Sequence, residues 1–255
     1  MTHELPQDED LAALLNREMW AKIMSQPANK ERPRKAATLI LLDQSGPQVR
    51  VLMGKRHDRH TFMPSVFVFP GGGVELSDRQ MVVAGALDPV TEAKVMACLD
   101  RPSAGTARAL ALAAIRETFE ETGLALGVDD YGAPDDPPPG AWSGFAALGL
   151  YPNLEDMHFI ARAVTPPRMK RRFDTFFFTA DASGIAAKID GIVDGDSELV
   201  ELVWVTITEA RSLPMPLITT VIFRELEARL EKGMSRFLPI PVYRTGRQGW
   251  FRSEA

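Results

Sequence analysis

Residues 116–123 read Arg-Glu-Thr-Phe-Glu-Glu-Thr-Gly. Glu117, Glu120 and Glu121 stand at i, i+3 and i+4, spacings that bring three carboxylates to one face of an α-helix. Leu112, Ile115 and Phe119 fall on the other side and would anchor that helix in a core. Residues 107–122 are rich in alanine and leucine. The pattern predicts a helix over 107–122 that stops at Gly123, a residue suited to the turn after a helix. Three like charges on neighbouring turns repel one another. A hard divalent cation removes that cost, because magnesium takes oxygen ligands and keeps waters that phosphate oxygens can replace. A solvated acidic face has the same spacing, since glutamate is a good helix former. The surrounding sequence has to separate the two.

Upstream, the β-branched and aromatic run over 66–69 predicts a strand that ends at Pro70, after which Gly71, Gly72 and Gly73 open a loop. Residues 36–43 and 49–56 are two further strands, joined through Ser45-Gly46-Pro47 as a hairpin. Residues 11–24 carry apolar positions at helical spacing, and a polar linker with Pro27 and Pro33 follows. A short helix is expected over 92–99, a loop over 127–142, strands over 158–164, 173–179 and 199–205, and a helix over 219–230. The polar tail from Arg244 is expected to be loosely held. Hairpins and helices interleave without a repeat, which points to an α+β or α/β/α arrangement. The division expected is 1–33 as N-terminal helix and linker, 34–235 as the main domain and 236–255 as tail.

Composition narrows the function classes. A formal net charge of −5 over 255 residues disfavours binding to long nucleic acid, which needs a basic surface. Short phosphorylated ligands remain open, since a metal ion and a few cations supply the charge locally. Cys98 is the one cysteine; it cannot form an intrachain disulfide, and it has neither a local histidine nor a CxxC partner. It is expected to be an inert packing residue. Together with the acidic start MTHELPQDED and the lack of a membrane-length apolar run, it predicts a cytoplasmic protein without a membrane partner. The four histidines are scattered without zinc spacing.

Taken jointly, Phe69-Pro70-Gly71-Gly72 and the string from Arg116 to Gly123, followed by Leu124, resemble the two halves of the Nudix box. Residues 36–230 can be laid on that family's pattern. The resemblance implies an α/β/α sandwich with a mixed sheet. It also implies a hydrolase that uses Mg²⁺ or Mn²⁺ to cut the diphosphate linkage of a nucleoside diphosphate joined to another moiety. Two departures stand out. Residues 79–106 interrupt the box as an insertion. The glutamate usual six places after the first glycine is missing: counting from Gly72 gives Asp78, with Glu75 nearby. A split box resembles the branch of the peroxisomal coenzyme A diphosphatases and their bacterial relatives. Residues 60–72, 161–178 and 197–210 are similar to the same branch. It implies coenzyme A or an acyl-coenzyme A as substrate. The alternatives are an ADP-ribose or nucleotide-sugar diphosphatase, and a non-catalytic Nudix domain that senses a nucleotide. The missing first-half glutamate favours the sensor; the intact Glu117, Glu120 and Glu121 oppose it.

The resemblance also assigns roles. Glu120 and Glu121 are expected to bind the metal, with Glu117 as third ligand or as the group that orients or deprotonates water. Arg116 is expected to hold the carboxylates through its planar fork. Gly71, Gly72 and Gly73 would let backbone approach the diphosphate closely. A base from outside the box is common in the family, which leaves Glu198 and Glu201 as candidates. Arg56, Arg59 and His60 either grip a substrate phosphate or form a solvated basic loop. Within the run Lys170, Arg171, Arg172, the last is the best binding candidate against a solvated charge run. Asp174 is either a structural partner or a ligand contact. Phe62, Phe67 and Trp204 are expected in the core. The insertion either shapes the pocket or forms an oligomer contact, which would make a homodimer.

Overall fold

The computed structural model describes residues 25–27, 29, 31–59, 65–246 and 249–255. The expected helix over 11–24, His60 and Phe62 lie outside them. In chain order come strands β1 (Arg34–Asp43), β2 (Arg50–Arg56), β3 (Phe67–Val68) and β4 (Gly71–Gly73). Helices α1 (Leu76–Gln80), α2 (Pro89–Ala97) and α3 (Ala104–Thr122) follow, then β5 (Leu124–Leu126) and α4 (Ala141–Ala147). Next are β6 (His158–Val164), β7 (Phe173–Asp181), β8 (Ile185–Lys188) and β9 (Leu199–Thr206). Helices α5 (Ile207–Ala210) and α6 (Leu217–Glu231) precede strands β10 (Pro241–Gly246) and β11 (Gly249–Glu254).

β1 is apolar on both faces, as a strand covered on both sides requires. Ala37, Leu39 and Leu41 join one core, and Ile40 and Leu42 join the other. β7 runs parallel to β1 from Arg34↔Phe173 to Leu42↔Asp181. The predicted hairpin forms at Leu42↔Val51 and Asp43↔Arg50. The described strands make a mixed sheet in the order β11-β10-β6-β7-β1-β2-β3, with β4 also beside β1 and β9 beside β2. One face is covered by α3, with Val95 of α2 and Trp142 and Phe145 of α4. The other is covered by α6 through Val221, Ile222, Phe223 and Leu226. This is the expected α+β class in its three-layer form, helices on both faces of a mixed sheet. No helix among the described residues is long and apolar enough to cross a membrane.

The insertion is part of the body. Met81, Leu87, Val95, Cys98 and Leu99 are buried in the same core as α3. Asp88 caps α2 by accepting the Val90 and Thr91 N–H groups at 3.0 and 3.3 Å, and Pro89 fits the first helical position. α3 starts at Ala104, before the expected residue 107, because Ser103 caps it through the Thr106 N–H at 3.2 Å.

Two local expectations are corrected. The three glycines do not open a loop: they form β4, paired as Ala36↔Gly73, Ala37↔Gly72 and Thr38↔Gly71. The tail from Arg244 is not loose: β10 and β11 form a hairpin at the end of the sheet, with β10 parallel to β6. The sheet therefore runs to Glu254, past the boundary expected at 235. What holds the hairpin is buried Glu225 on α6, which accepts from the Tyr243 hydroxyl and from Arg252 Nε at 2.8 Å. The buried part of the hairpin is Pro241, Val242 and Tyr243, just before the polar stretch.

Candidate active site

Arg116 organises the end of α3. It is 2% exposed, so each of its donors needs a partner. Nε donates to Asp78 Oδ1 at 2.8 Å and Nη2 to Asp78 Oδ2 at 3.2 Å. Nη2 also reaches the Gly73 carbonyl at 2.7 Å, and Nη1 reaches Glu120 Oε2 at 2.6 Å and Glu117 Oε1 at 3.0 Å. Burial opposes the guanidinium charge, but the Asp78 hydrogen bond and the Glu117, Asp78 and Glu120 carboxylates outweigh it and hold its pKa above the ordinary value.

Asp78, not Glu75, is the first-half carboxylate that reaches the helix. Asp78 is fully buried, and it also accepts the Glu75 N–H at 2.8 Å. Glu75 is exposed and caps α1 instead.

The glycine strand lies directly on the carboxylates. A Cβ on Gly72 would stand 2.4 to 2.6 Å from the Glu117 carboxylate atoms. A Cβ on Gly71 would stand 2.6 Å from the Ala37 carbonyl and from Thr38 Oγ1. Only glycine fits against the backbone at Gly71, and at Gly72 a Cβ would require the Glu117 carboxylate to move. The Gly71 N–H donates to Glu121 Oε2 at 3.1 Å. Burial, helped by Glu120 and Asp78 and opposed by Arg116, pushes the Glu117 carboxyl up to about 7. Burial also raises Glu121 well above the usual carboxylate range. The Glu198 and Glu117 charges add to this, while the Gly71 N–H and Arg56 oppose it.

Glu198 comes from the loop just before β9. It pairs with Arg56 Nη2 at 3.1 Å, and its carbonyl accepts the His57 N–H at 3.1 Å. Pairing of β2 with β9 sets Lys55 opposite Glu201, and their side chains meet at 3.6 Å. Glu198 and Arg56 both act as charges on Glu121, whereas Glu201 is paired with Lys55. No sequence signal separated the two glutamates; the β2–β9 register does. Arg56 Nε is buried without a hydrogen-bond partner.

Other candidates are not brought to the cluster. Arg172 donates through Nη1 to the Glu31 and Asn29 carbonyls and fastens that segment to the start of β7. Lys170 and Arg171 are exposed. Arg59 is exposed and meets Asp196 at 3.4 Å. Asp174 is structural: Arg162 grips it in a fork at 2.6 and 2.7 Å, and Lys35 adds a contact at 3.1 Å. Phe67 is buried in the core under α6, and Trp204 packs partly buried against the other core, under α3. Cys98 is buried, and burial raises its thiol pKa.

The three-layer sandwich and the glycine strand laid on a glutamate helix agree with a solved structure. A Nudix hydrolase from Alicyclobacillus acidocaldarius superposes with a TM-score of 0.58 and 28% identity, over 79% of this chain and 97% of that one. The chain folds as a Nudix hydrolase. The NUDIX domain of Shewanella oneidensis NrtR, complexed with ADP ribose, overlaps at 0.43 and 12% identity, over 88% of this chain and 99% of that one. The MutT protein from Methanosarcina mazei Go1 does so at 0.42 and 15%, over 80% and 99%. Overlaps that weak add nothing to the first. No protein-family model and no curated protein matches the chain. The Nudix likeness and the intact carboxylate helix make the protein an enzyme of the diphosphate-hydrolase kind.

The ligands expected for a metal are Glu117, Glu120 and Glu121. Among the described residues no three acidic, histidine or cysteine side chains are arranged around one metal position. Glu120 is instead paired with Arg116, four residues earlier, at 2.6 Å, and its side chain is 42% exposed. Glu117, Glu121 and Glu198 offer oxygen donors only, and burial first, then the Glu198 and Glu117 charges, disfavours the charged form of Glu121. That chemistry fits a hard divalent cation.

Proposed function

We propose that this Nudix hydrolase cuts a nucleoside diphosphate joined to a second moiety, with coenzyme A or an acyl-coenzyme A as the first substrate to test. The observation that carries the reading is β4 lying on the α3 carboxylates, with Glu198 and Arg56 acting as charges on Glu121. Mg²⁺ or Mn²⁺ would be held by Glu121, with Glu117 and Glu198 flanking it and Glu120 lending charge from the rim. When bound, such an ion neutralises the diphosphate and lowers the pKa of water.

The chain's own residues do the positioning. Gly71 and Gly72 leave the phosphate oxygens room against backbone. Arg56, with an unpartnered buried nitrogen, is suited to hold a phosphate. Arg116 fixes Glu117 through Oε1, which leaves Oε2 to orient the attacking water and take its proton. A carboxyl raised to about 7 is well matched to that task near neutral pH. The Asp78–Arg116 bridge places a carboxylate where the first-half glutamate is missing, which favours the enzyme over the sensor.

The test is a panel of coenzyme A, acyl-coenzyme A, ADP-ribose, a nucleotide sugar, NADH and diadenosine polyphosphates, each with Mg²⁺ and with Mn²⁺. Release of 3′,5′-ADP from coenzyme A supports the first substrate. Preferential turnover of ADP-ribose or a nucleotide sugar moves the assignment there. Silence toward every diphosphate overturns the enzymatic reading. In the same assay Glu121→Gln is expected to lower turnover by about 10²–10⁴-fold with an unchanged circular dichroism spectrum; full activity removes Glu121 from the site.

A further inference from the structure

Away from the glutamate helix, a second cleft gathers cations. It lies where β6 begins, between α2 and the C-terminal end of α6. Lys94, His158, Arg229 and Arg236 line it, with Thr91 and Ser235 among the neutral groups. None of Glu117, Glu121, Glu198 or the β4 glycines does so, and β7 and β6 lie between it and β1.

The cations are incompletely matched. Lys94 Nζ donates to the Leu238 carbonyl and Arg229 Nη2 to the Pro239 carbonyl; Arg236 Nη2 donates to the Glu155 carbonyl at 3.0 Å. These bonds lace the 235–239 segment to the body, but they are made to neutral groups. The Nε atoms of Arg229 and Arg236 are buried and have no hydrogen-bond partner. Arg229 is 6% exposed, so water does not make good the loss.

The acidic groups nearby are few or engaged elsewhere. Asp88 stands 3.9 Å from Arg236 Nε, and the same carboxylate already caps α2. Glu225 accepts from Tyr243 and Arg252. Asp156 and Asp88 act on His158 as charges, and Glu225 and Glu254 do so on Arg229, without a hydrogen bond to either. The imbalance shows in the titrating groups: burial first and Arg229 second lower Lys94, while burial and Arg236 lower His158.

We propose that this cleft is a binding site for a phosphate-sized oxyanion, held between Lys94 on the insertion and Arg229 and Arg236 on the C-terminal side. Such an anion accepts from several fixed donors at once, which suits guanidinium groups. As the side chains stand, the cleft is closed to less than a water molecule. Lys94 and Arg236 are half-buried long chains, so their head groups can move apart and close again on an anion seated between them. Binding would clamp the insertion to the C-terminal segment. The site is independent of the substrate assigned above.

The probe is inorganic phosphate, titrated in EDTA so that the glutamate site holds no divalent ion. Phosphate at ten times its Kd is expected to raise the Tm by about 3–6 °C, and K94Q/R236Q is expected to lose that shift while keeping diphosphatase activity. In the unaltered protein, phosphate is expected to protect Lys94 from acetylation, read by mass spectrometry; this holds even if the double variant folds poorly. No Tm shift, an equal shift in K94Q/R236Q, or Lys94 acetylation indifferent to phosphate would each overturn the proposal.

Discussion

At Gly72 a single methyl group separates function from stability. Its Cβ would meet the far end of the Glu117 side chain rather than backbone, so the clash is relieved by moving the carboxylate. Gly72→Ala is therefore expected to lower kcat/KM by about 10–100-fold, the usual cost of displacing a group that supports a site, while thermal unfolding stays nearly unchanged. Loss of stability without loss of activity contradicts the close packing of β4 on Glu117. Asp174 shows the opposite balance. Burial alone would raise its carboxyl pKa, yet the Arg162 fork and Lys35 hold it below the usual value. The folded state then binds fewer protons than the unfolded chain in that range. Its contribution to stability is full above about pH 4 and fades as the pH falls through the folded value. Asp174→Asn is expected to cost about 3–5 kcal/mol near neutrality, because Arg162 is left buried without its partner. It is also expected to flatten the acid limb of the stability profile, measured by denaturant unfolding between pH 2 and 7.

At the scale of elements, α2 and its flanks read as an interruption in sequence and act as core in the fold. Met81 and Val95 have no exposed surface. Met81→Ala is expected to destabilise the protein by about 2–5 kcal/mol, the range for a buried side chain cut to alanine. A surface appendage would show almost no change in urea midpoint. α3 was legible because its alanine-rich period and closing Gly123 are local signals. Its earlier start at Ala104 was not, since Ser103 is one of several polar residues that could have capped it. The triple glycine misled for a physical reason: glycine is a loop residue by its own preference, and here its lack of a side chain lets a strand fit between β1 and the glutamates.

For the whole molecule, the C-terminal hairpin closes the sheet. Removing residues 241–255 would uncover the edge of β6 and take Tyr243 and Arg252 away from buried Glu225. An uncovered edge invites pairing with other chains, and a stranded carboxylate alone costs about 3–5 kcal/mol. The truncated protein is expected to aggregate or elute as higher oligomers in size-exclusion chromatography. A stable, monodisperse truncation would mean that the hairpin is dispensable.

The amino-acid sequence alone determined what depends on near neighbours: the carboxylate face of α3, its stop at Gly123, most strands of the sheet, and the presence of Phe69-Pro70-Gly71-Gly72 in the same chain as a glutamate helix. Helical and strand periods encode which side chains share a face. They do not encode which distant group that face will meet. Tertiary structure decided those partners: Asp78 rather than Glu75 against Arg116, Glu198 rather than Glu201 toward Glu121, Arg172 on a backbone segment instead of the site, and the tail inside the sheet. Each choice rests on contacts between residues far apart in the chain, fixed by strand register and by the need of every buried charge to find a partner.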